Sequence, residues 1–292
     1  MARLKGELIA PRALDWLASA TEPRIHSLYR QSINLIESKQ SLLSVVLPEL
    51  GPGPFAIVVA QPEPSFEGFN LLGLESPINI DGRRVEIGHL QVDAGRAKEW
   101  QPRPDWQRLG EELDGARISR LAALLHDYAP SGSFAPLAHG AILEASRTIQ
   151  SRALSAAAGP TQLLVDSLAS GDDSGVGEAA MSLAGLGGGV TPSGDDYLQG
   201  SIHALWTERD ERRARQTGEV IVSIATPRTN AISGEWLRAA ARGEAGADWH
   251  LMVQAIVENR GVDEAVIQLI HRGHTSGADA MAGFLSTLSV LN

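Results

Sequence analysis

The sequence predicts an α+β chain: an N-terminal antiparallel β-sheet or small barrel over residues 1–105, then a mainly helical domain over residues 106–292. Three observations carry this. Short apolar or alternating runs recur roughly every ten residues before Pro104, with turn signals between them. Asp81-Gly82 sits between INI and RRVEI, a two-residue hairpin signal because such turns need positive φ. After Pro104 apolar residues return at helical spacing: Trp106, Leu109, Leu113, Ile118, Leu121, Leu125 and Tyr128.

Taken in order, residues 13–20 read as a helix, and the rest of 1–30 has no clear period. Strands are expected at 42–47 (LLSVVL), 55–60 (FAIVVA), 69–74 and 85–92. Pro48, GPGP at 51–54 and QPEP at 61–64 punctuate them. No helical pattern lies between these runs, which favours hairpins over βαβ units. Beyond them, helices are expected at about 134–158, 160–170, 175–185, 192–207, 209–225, 231–242, 248–259, 262–271 and 276–290.

Bulk properties exclude several classes of function. A chain of 292 residues buries a real core as one large or two ordinary domains. Its 43% hydrophobic and 21% charged content is that of a globular protein. The net charge of −10 leaves no positive footprint for a nucleic acid, because the Arg209–Arg215 region is broken by acids. With no cysteine there is no disulfide, thiol nucleophile or Cys-ligated metal. No apolar run reaches the ~18 residues of a membrane span, and MARLKGELIAPRALDWLAS lacks a signal-peptide core. The expectation is a cytoplasmic protein without membrane or nucleic-acid partners.

The most informative stretch is GLGGGVTPSGDDYLQG at 185–200. It is no dinucleotide fingerprint, because Val190 stands at the third glycine position and a helical pattern precedes it. It is no P-loop, because no Gly-Lys-Ser/Thr follows. What remains is a helix ending in Gly187, Gly188 and Gly189, and a new helix opening at Thr191-Pro192. A helix start with free N–H groups is an anion site; the alternative is a tight interhelical turn. TPSGDDYLQG (191–200) then recurs as HTSGADAMAG (274–283), matching Ser193 to Ser276, Gly194 to Gly277, Asp196 to Asp279 and Gly200 to Gly283. Ser, Asp and the last Gly at i, i+3 and i+7 share one helix face. Convergence of the two would bring together two sets of N–H donors, the hydroxyls of Thr191, Ser193, Thr275 and Ser276, and two or three carboxylates. The alternative is ordinary capping chemistry arising twice.

A third stretch, ATPRTNAISGEWLRAAARGE at 225–244, supplies Arg228 and Asn230 ahead of an amphipathic helix. Its Thr-Pro-Arg-Thr faintly resembles the Ser-Thr-Arg-Thr phosphate loop of aspartate and ornithine carbamoyltransferases; the alternative is a polar loop. Asp195, Asp196 and Asp279 are candidate ligands for Mg²⁺, which favours carboxylate oxygens. Neighbouring helical residues point about 100° apart, so only one of the Asp195-Asp196 pair can face Asp279 squarely. His271 and His274 straddle a helix boundary without a second metal motif. His89, His126, His139, His203 and His250 are scattered and read as packed or surface histidines. No Gly-x-Ser-x-Gly elbow supports a hydrolase triad.

In this order, the stretches GLGGGVTPSGDDYLQG, TNAISGEWLRAAARGE and GHTSGADAMAG resemble the AllH family, one member of which is named as a subunit of oxamate carbamoyltransferase. A looser match covers the β region at 80–106. The resemblance implies a role in purine or allantoin catabolism with FdrA-type partner subunits. It also implies phosphorolysis of oxalurate to oxamate and carbamoyl phosphate, or the reverse. On that reading the substrate is a small anion. Gly187, Gly188, Gly189, Thr191, Ser193, Gly194, Asn230, His274, Thr275, Ser276 and Gly277 bind it, and Asp196, Asp279 and Arg228 carry the chemistry. Two positions depart from the family pattern, which often has Gly-Pro-Gly at 187–189 and a bulky aromatic at Ala278; both bear on substrate identity. Two alternatives stand beside this one: a non-catalytic ligand-binding or assembly subunit of the same complex, and a stand-alone metal-dependent amide or ureide hydrolase.

Overall fold

The computed structural model describes residues 2–60, 72–138, 152–208 and 210–291. The chain divides into two compact units, Met1–Pro102 with Ala245–Ala247, and Arg103–Glu244 with Asp248–Asn292.

The first unit is one nine-stranded sheet, a nearly closed, barrel-like and mostly antiparallel layer. Its strands are β1 (Ala2–Ile9), β2 (Arg24–Leu28), β3 (Ser32–Ile36), β4 (Leu42–Val46), β5 (Ala56–Ala60), β6 (Ile78–Asp81), β7 (Arg84–Ile87), β8 (Leu90–Asp93) and β9 (Lys98–Glu99). The order is β2-β3-β4-β5-β1-β8-β7-β6, with β9 on the far end of β1. The helix α1 (Pro11–Ser19) buries Ala13, Trp16 and Leu17 in the same core as Ile9, Leu35, Leu43 and Ile57.

The expected strands at 42–47 and 55–60 are β4 and β5. Several readings need correction. The run 85–92 is two strands, because the chain turns at Gly88-His89 and sets Ile87 opposite Leu90. The hairpin loop is Gly82-Arg83, one residue later than expected, since Asp81 itself pairs with Arg84. Of the strand expected at 69–74, residues 72–74 are loop and 69–71 lie outside the described residues. The sheet also holds parallel pairs: β4 with β5, and β1 with both β8 and β9.

The second unit is helical: α2 (Trp106–Glu112), α3 (Gly115–Tyr128), α4 (Arg152–Ser170), α5 (Asp173–Leu183), α6 (Ser193–Glu208), α7 (Glu211–Ala225), α8 (Ala231–Ala241), α9 (Ala247–Glu258), α10 (Val262–Ile270) and α11 (Ser276–Leu291). Asp105, Asp114, Asp172, Asp210 and Asn230 each cap a helix, their side chains accepting a backbone N–H of the first turn. Each such cap contributes about 1 kcal/mol. Helix α4 runs through Pro160, where the sequence suggested a break. The carbonyl that loses its donor belongs to Ala156 on the exposed face, where water can serve it. Of the helix expected at 134–158, Ala135–Leu137 form only a 3-10 turn that ends at Ala138, residues 139–151 with His139 lie outside the described residues, and 152–158 belong to α4.

Helices α6 and α11 form the centre of this unit. Both are buried along most of their length, polar residues included: Ser193, Asp195, Asp196, Gln199, Ser201 and His203 on α6, and Asp279, Ser286 and Thr287 on α11. Such burial is costly unless the polar groups find partners or serve a function.

Candidate functional site

The two central helices touch through reciprocal contacts. A β-carbon on Gly200 would collide with the carbonyl oxygen of Ala280, and one on Gly283 with that of Tyr197. In the internal alignment Gly200 corresponds to Gly283 and Tyr197 to Ala280. Each helix therefore offers a glycine to the same point of the other's backbone, the signature of a local two-fold axis. The relation extends outward. Gly194 lies against the carbonyl of Leu183 at the end of α5, and Gly277 against that of Leu269 near the end of α10. Thus α5–loop–α6 and α10–loop–α11 are two copies of one helix–turn–helix device, each admitted by a glycine that lets backbones approach.

At the N-terminal ends the exchange continues in side chains. The Ser193 hydroxyl bonds to the carboxyl of Asp279, and the Ser276 hydroxyl to that of Asp196. Thr191 also reaches Asp196, and its Oγ1 pairs with Ser276 Oγ at 2.7 Å. Thr191 is free to do so because α6 opens one residue later than expected: the Pro192 carbonyl, not that of Thr191, accepts from the Asp195 N–H, and it accepts from the Asp196 N–H as well. Thr275 bonds to Asp279, the exposed His274 lies near it, and the backbone N–H of Phe134 donates to Asp279 Oδ1 at 2.5 Å. Asp196 and Asp279 are 4% and 0% exposed. One oxygen of each, Oδ2, is buried with no hydrogen-bond donor among the described residues.

The electrostatics follow from this burial. Desolvation, and then the charge of Asp279, push the Asp196 carboxyl well above the usual carboxylate range. Burial also raises Asp279, to about 6, against the opposing bonds from Phe134, Ser193 and Thr275. The asymmetry has a structural cause: a fixed backbone N–H stabilises ionised Asp279, whereas Asp196 has hydroxyls, which can donate or accept. Burial favours the protonated form of both carboxyls, and the charge of Asp279 further opposes ionisation of Asp196.

The third aspartate has a different task. Asp195 Oδ1 accepts from the Gly185 N–H at 2.9 Å, and Oδ2 from the Thr229 hydroxyl. Ser233 also bonds to it, and burial raises its pKa against these bonds. Asp195 thus ties the start of the glycine loop to the segment before α8, while Asn230 Nδ2 holds the loop's far end through the Val190 carbonyl at 2.9 Å. Between these ties Gly187, Gly188 and Gly189 are exposed, Gly187 at φ +114° and placed so that a β-carbon would meet the Ser193 backbone nitrogen. Arg228 is exposed, and its guanidinium donates to the Ile224 carbonyl at 2.7 Å. With Asp195 so engaged, Asp196 and Asp279 remain the oxygen donors a hard cation would find. Among the described residues no group of three or more His, Asp or Glu side chains is placed to hold a metal.

The structure therefore gathers Thr191, Ser193, Asp196, Thr275, Ser276 and Asp279 at one place, with His274 beside them. Gly194 and Gly277 act in helix packing, and Arg228 and Asn230 at the base of the glycine loop. Sequence reasoning missed the Phe134 N–H, a backbone donor 145 positions from its acceptor, and the clamp of Thr229 and Ser233 on Asp195. Of the scattered histidines, His203 is buried against Trp106 and Trp249 (centroids 5.1 and 4.7 Å away), and desolvation lowers its pKa to about 3. It is a packed histidine.

Among the described residues no helix is long and apolar enough to cross a membrane. No solved structure matches the chain. Residues 183–288, which include both copies of the helix start, match the family described as oxamate carbamoyltransferase subunit AllH, and residues 5–99 match the AllH family N-terminal domain. The chain belongs to the AllH family, whose description makes it a subunit of oxamate carbamoyltransferase.

Proposed function

We propose that this chain carries the carbamoyl-transfer site of the enzyme, converting oxalurate and phosphate to oxamate and carbamoyl phosphate, and the reverse. The observation that supports it is the buried Asp196–Asp279 pair at two converging helix N-termini, with one oxygen of each carboxyl unpartnered among the described residues. Protonated and ionised carboxyls side by side are what a transfer between an amide nitrogen and a phosphate oxygen needs. A phosphate oxygen attacks the terminal ureido carbonyl, the new C–O bond forms, and the C–N bond to the oxalyl amide breaks. Asp196 gives its proton to the departing nitrogen, and Asp279 takes the proton that hydrogen phosphate loses. Exchange between the two resets the pair. Backbone N–H groups of the first turns of α6 and α11, with the Thr191, Ser193, Thr275 and Ser276 hydroxyls, hold the anionic groups. Arg228, with guanidinium donors beyond the one given to Ile224, is the candidate cation.

The same proposal takes in FdrA-type partner subunits and a place in purine or allantoin catabolism in the cytoplasm. The chain is to be co-expressed with such subunits and supplied with oxalurate and phosphate, and carbamoyl phosphate release is to be measured. Release that requires this chain is the expected result. Its absence from every preparation containing the chain would refute the reading.

A further inference from the structure

Asp196 and Asp279 are sealed from solvent at Oδ2, and what closes over them is specific. Three side-chain bonds cross from one helix start to the other: Ser193 of α6 to Asp279 of α11, Ser276 of α11 to Asp196 of α6, and Thr191 Oγ1 to Ser276 Oγ at 2.7 Å. The other bonds of the cluster do not join α6 to α11: Thr191 to Asp196, and Thr275 and the Phe134 N–H to Asp279. Further along, the two helices meet in another way. There Gly200 and Gly283 lie against the Ala280 and Tyr197 carbonyls, backbone on backbone with no room for a β-carbon. Water can take the place of each crossing bond at the starts. It would also reach the two Oδ2 oxygens, which are buried without a donor among the described residues, at a cost to the closed arrangement. Water offers nothing to the close-packed crossing. Each start is moreover seated on its own preceding helix, Gly194 on the Leu183 carbonyl and Gly277 on that of Leu269, so each helix–turn–helix copy holds together by itself. The weaker joint of this helix pair lies between the two starts, and local opening is drawn from such low-stability joints.

We propose that the three crossing bonds are a latch: the structure is the closed state of the site, and the first turns of α6 and α11 part about the Gly200–Gly283 crossing to admit solutes to Asp196 and Asp279. The closed state keeps water from the carboxyls, and the open state exposes them. The latch rests on the proposed carbamoyl transfer only for what enters; its opening is measured without any turnover assay.

The chain has no cysteine, so one introduced thiol reports one position. Ala278→Cys lies in the first turn of α11 and Ala282→Cys one turn further in, beside Gly283; both alanines are 0% exposed. Each full-chain variant is to be alkylated with iodoacetamide under native conditions, its melting transition recorded first. The thiol at 278 is expected to react at least about tenfold faster than the thiol at 282, because local opening is more frequent than unfolding of the centre. Thr191→Val deletes the hydroxyl that reaches Ser276. It is expected to speed labelling at 278 by about fivefold or more, the worth of one hydrogen bond, and to speed labelling at 282 by less. Should Ala278→Cys fail to fold, Ser193→Cys with Ser201→Cys makes the same outer and inner comparison on α6, where both serines are buried. Equal rates at the outer and inner positions overturn the latch, as does a Thr191→Val change that speeds both alike or neither. Carbamoyl phosphate release is assayed separately on the cysteine-free chain with co-expressed partner subunits. Turnover with equal labelling removes the latch and leaves the proposed reaction standing. Outer-selective labelling without turnover does the opposite.

Discussion

Replacing Gly200 with alanine probes the contact on which the paired helix starts depend. In an isolated helix the change is favourable by about 1 kcal/mol. Here the new methyl group falls on the backbone oxygen of Ala280, deep in a buried helix that has no side chain to move aside. Overpacking of a core costs about 1–3 kcal/mol when side chains can adjust, and a backbone clash lies at or beyond the upper end. The net expectation is a loss of about 2 kcal/mol or more, which for a unit of this size lowers Tm by about 4–8 °C. Gly283→Ala, which meets the Tyr197 carbonyl, is expected to cost a comparable amount. Gly234→Ala is the control: it lies inside α8 with its nearest neighbours at 3.7 Å, so the helical gain is expected to appear as a small rise in Tm. The assay is calorimetric or circular-dichroism melting of the three variants in parallel. A Gly200→Ala protein as stable as wild type would refute the close-contact argument and the local two-fold axis built on it.

Two further substitutions test the electrostatics and the clamp. Asp279 has a pKa of about 6 in the fold against 3.8 in the unfolded chain. Between those values the native state binds the extra proton, so the Asp279 share of wild-type stability falls by about 3 kcal/mol as pH rises through this window, while Asp195 and Asp196, raised by burial as well, add a slope of the same sign. Asp279→Asn removes the Asp279 share of this slope: by urea titration at several pH values, the variant is expected to gain on wild type from about pH 4 to above pH 6, and parallel profiles would contradict the assignment. Asp195→Ala strips the acceptor from the Gly185 N–H and the Thr229 hydroxyl, both partly buried, and is expected to cost about 2 kcal/mol in the urea midpoint. A shift below about 0.5 kcal/mol would mean that the clamp does not hold the glycine loop.

Much of the helical unit was legible in the sequence because its signals are local. The starts of α6 and α11 stand two residues after Thr191 and His274, and the alignment of Ser193 with Ser276 and Asp196 with Asp279 corresponds to the reciprocal bonds of the site. The β unit was less legible for a physical reason. Strands β1 and β2 each contain an irregularity, between Gly6 and Leu8 and between Ile25 and Ser27. A one-residue slip moves later side chains to the opposite face and erases the alternation by which a strand is recognised. The parallel pairing of β1 with β8 joins segments nearly ninety residues apart, which no local pattern encodes. At the site, the Phe134 N–H carries no side-chain signature, and Asp195 looks like the twin of Asp196 until the helix turns it toward Gly185 and Thr229.

The account's central claim is that the Asp196–Asp279 pair moves the protons of carbamoyl transfer. The most direct measurement is the rate of carbamoyl phosphate formation by a complex assembled with Asp196→Asn, compared with wild type at the same occupancy and with the melting transition recorded on the same samples. The account predicts a folded complex slowed by about a hundredfold or more, the usual contribution of a positioned acid. Full turnover by the folded variant would contradict it.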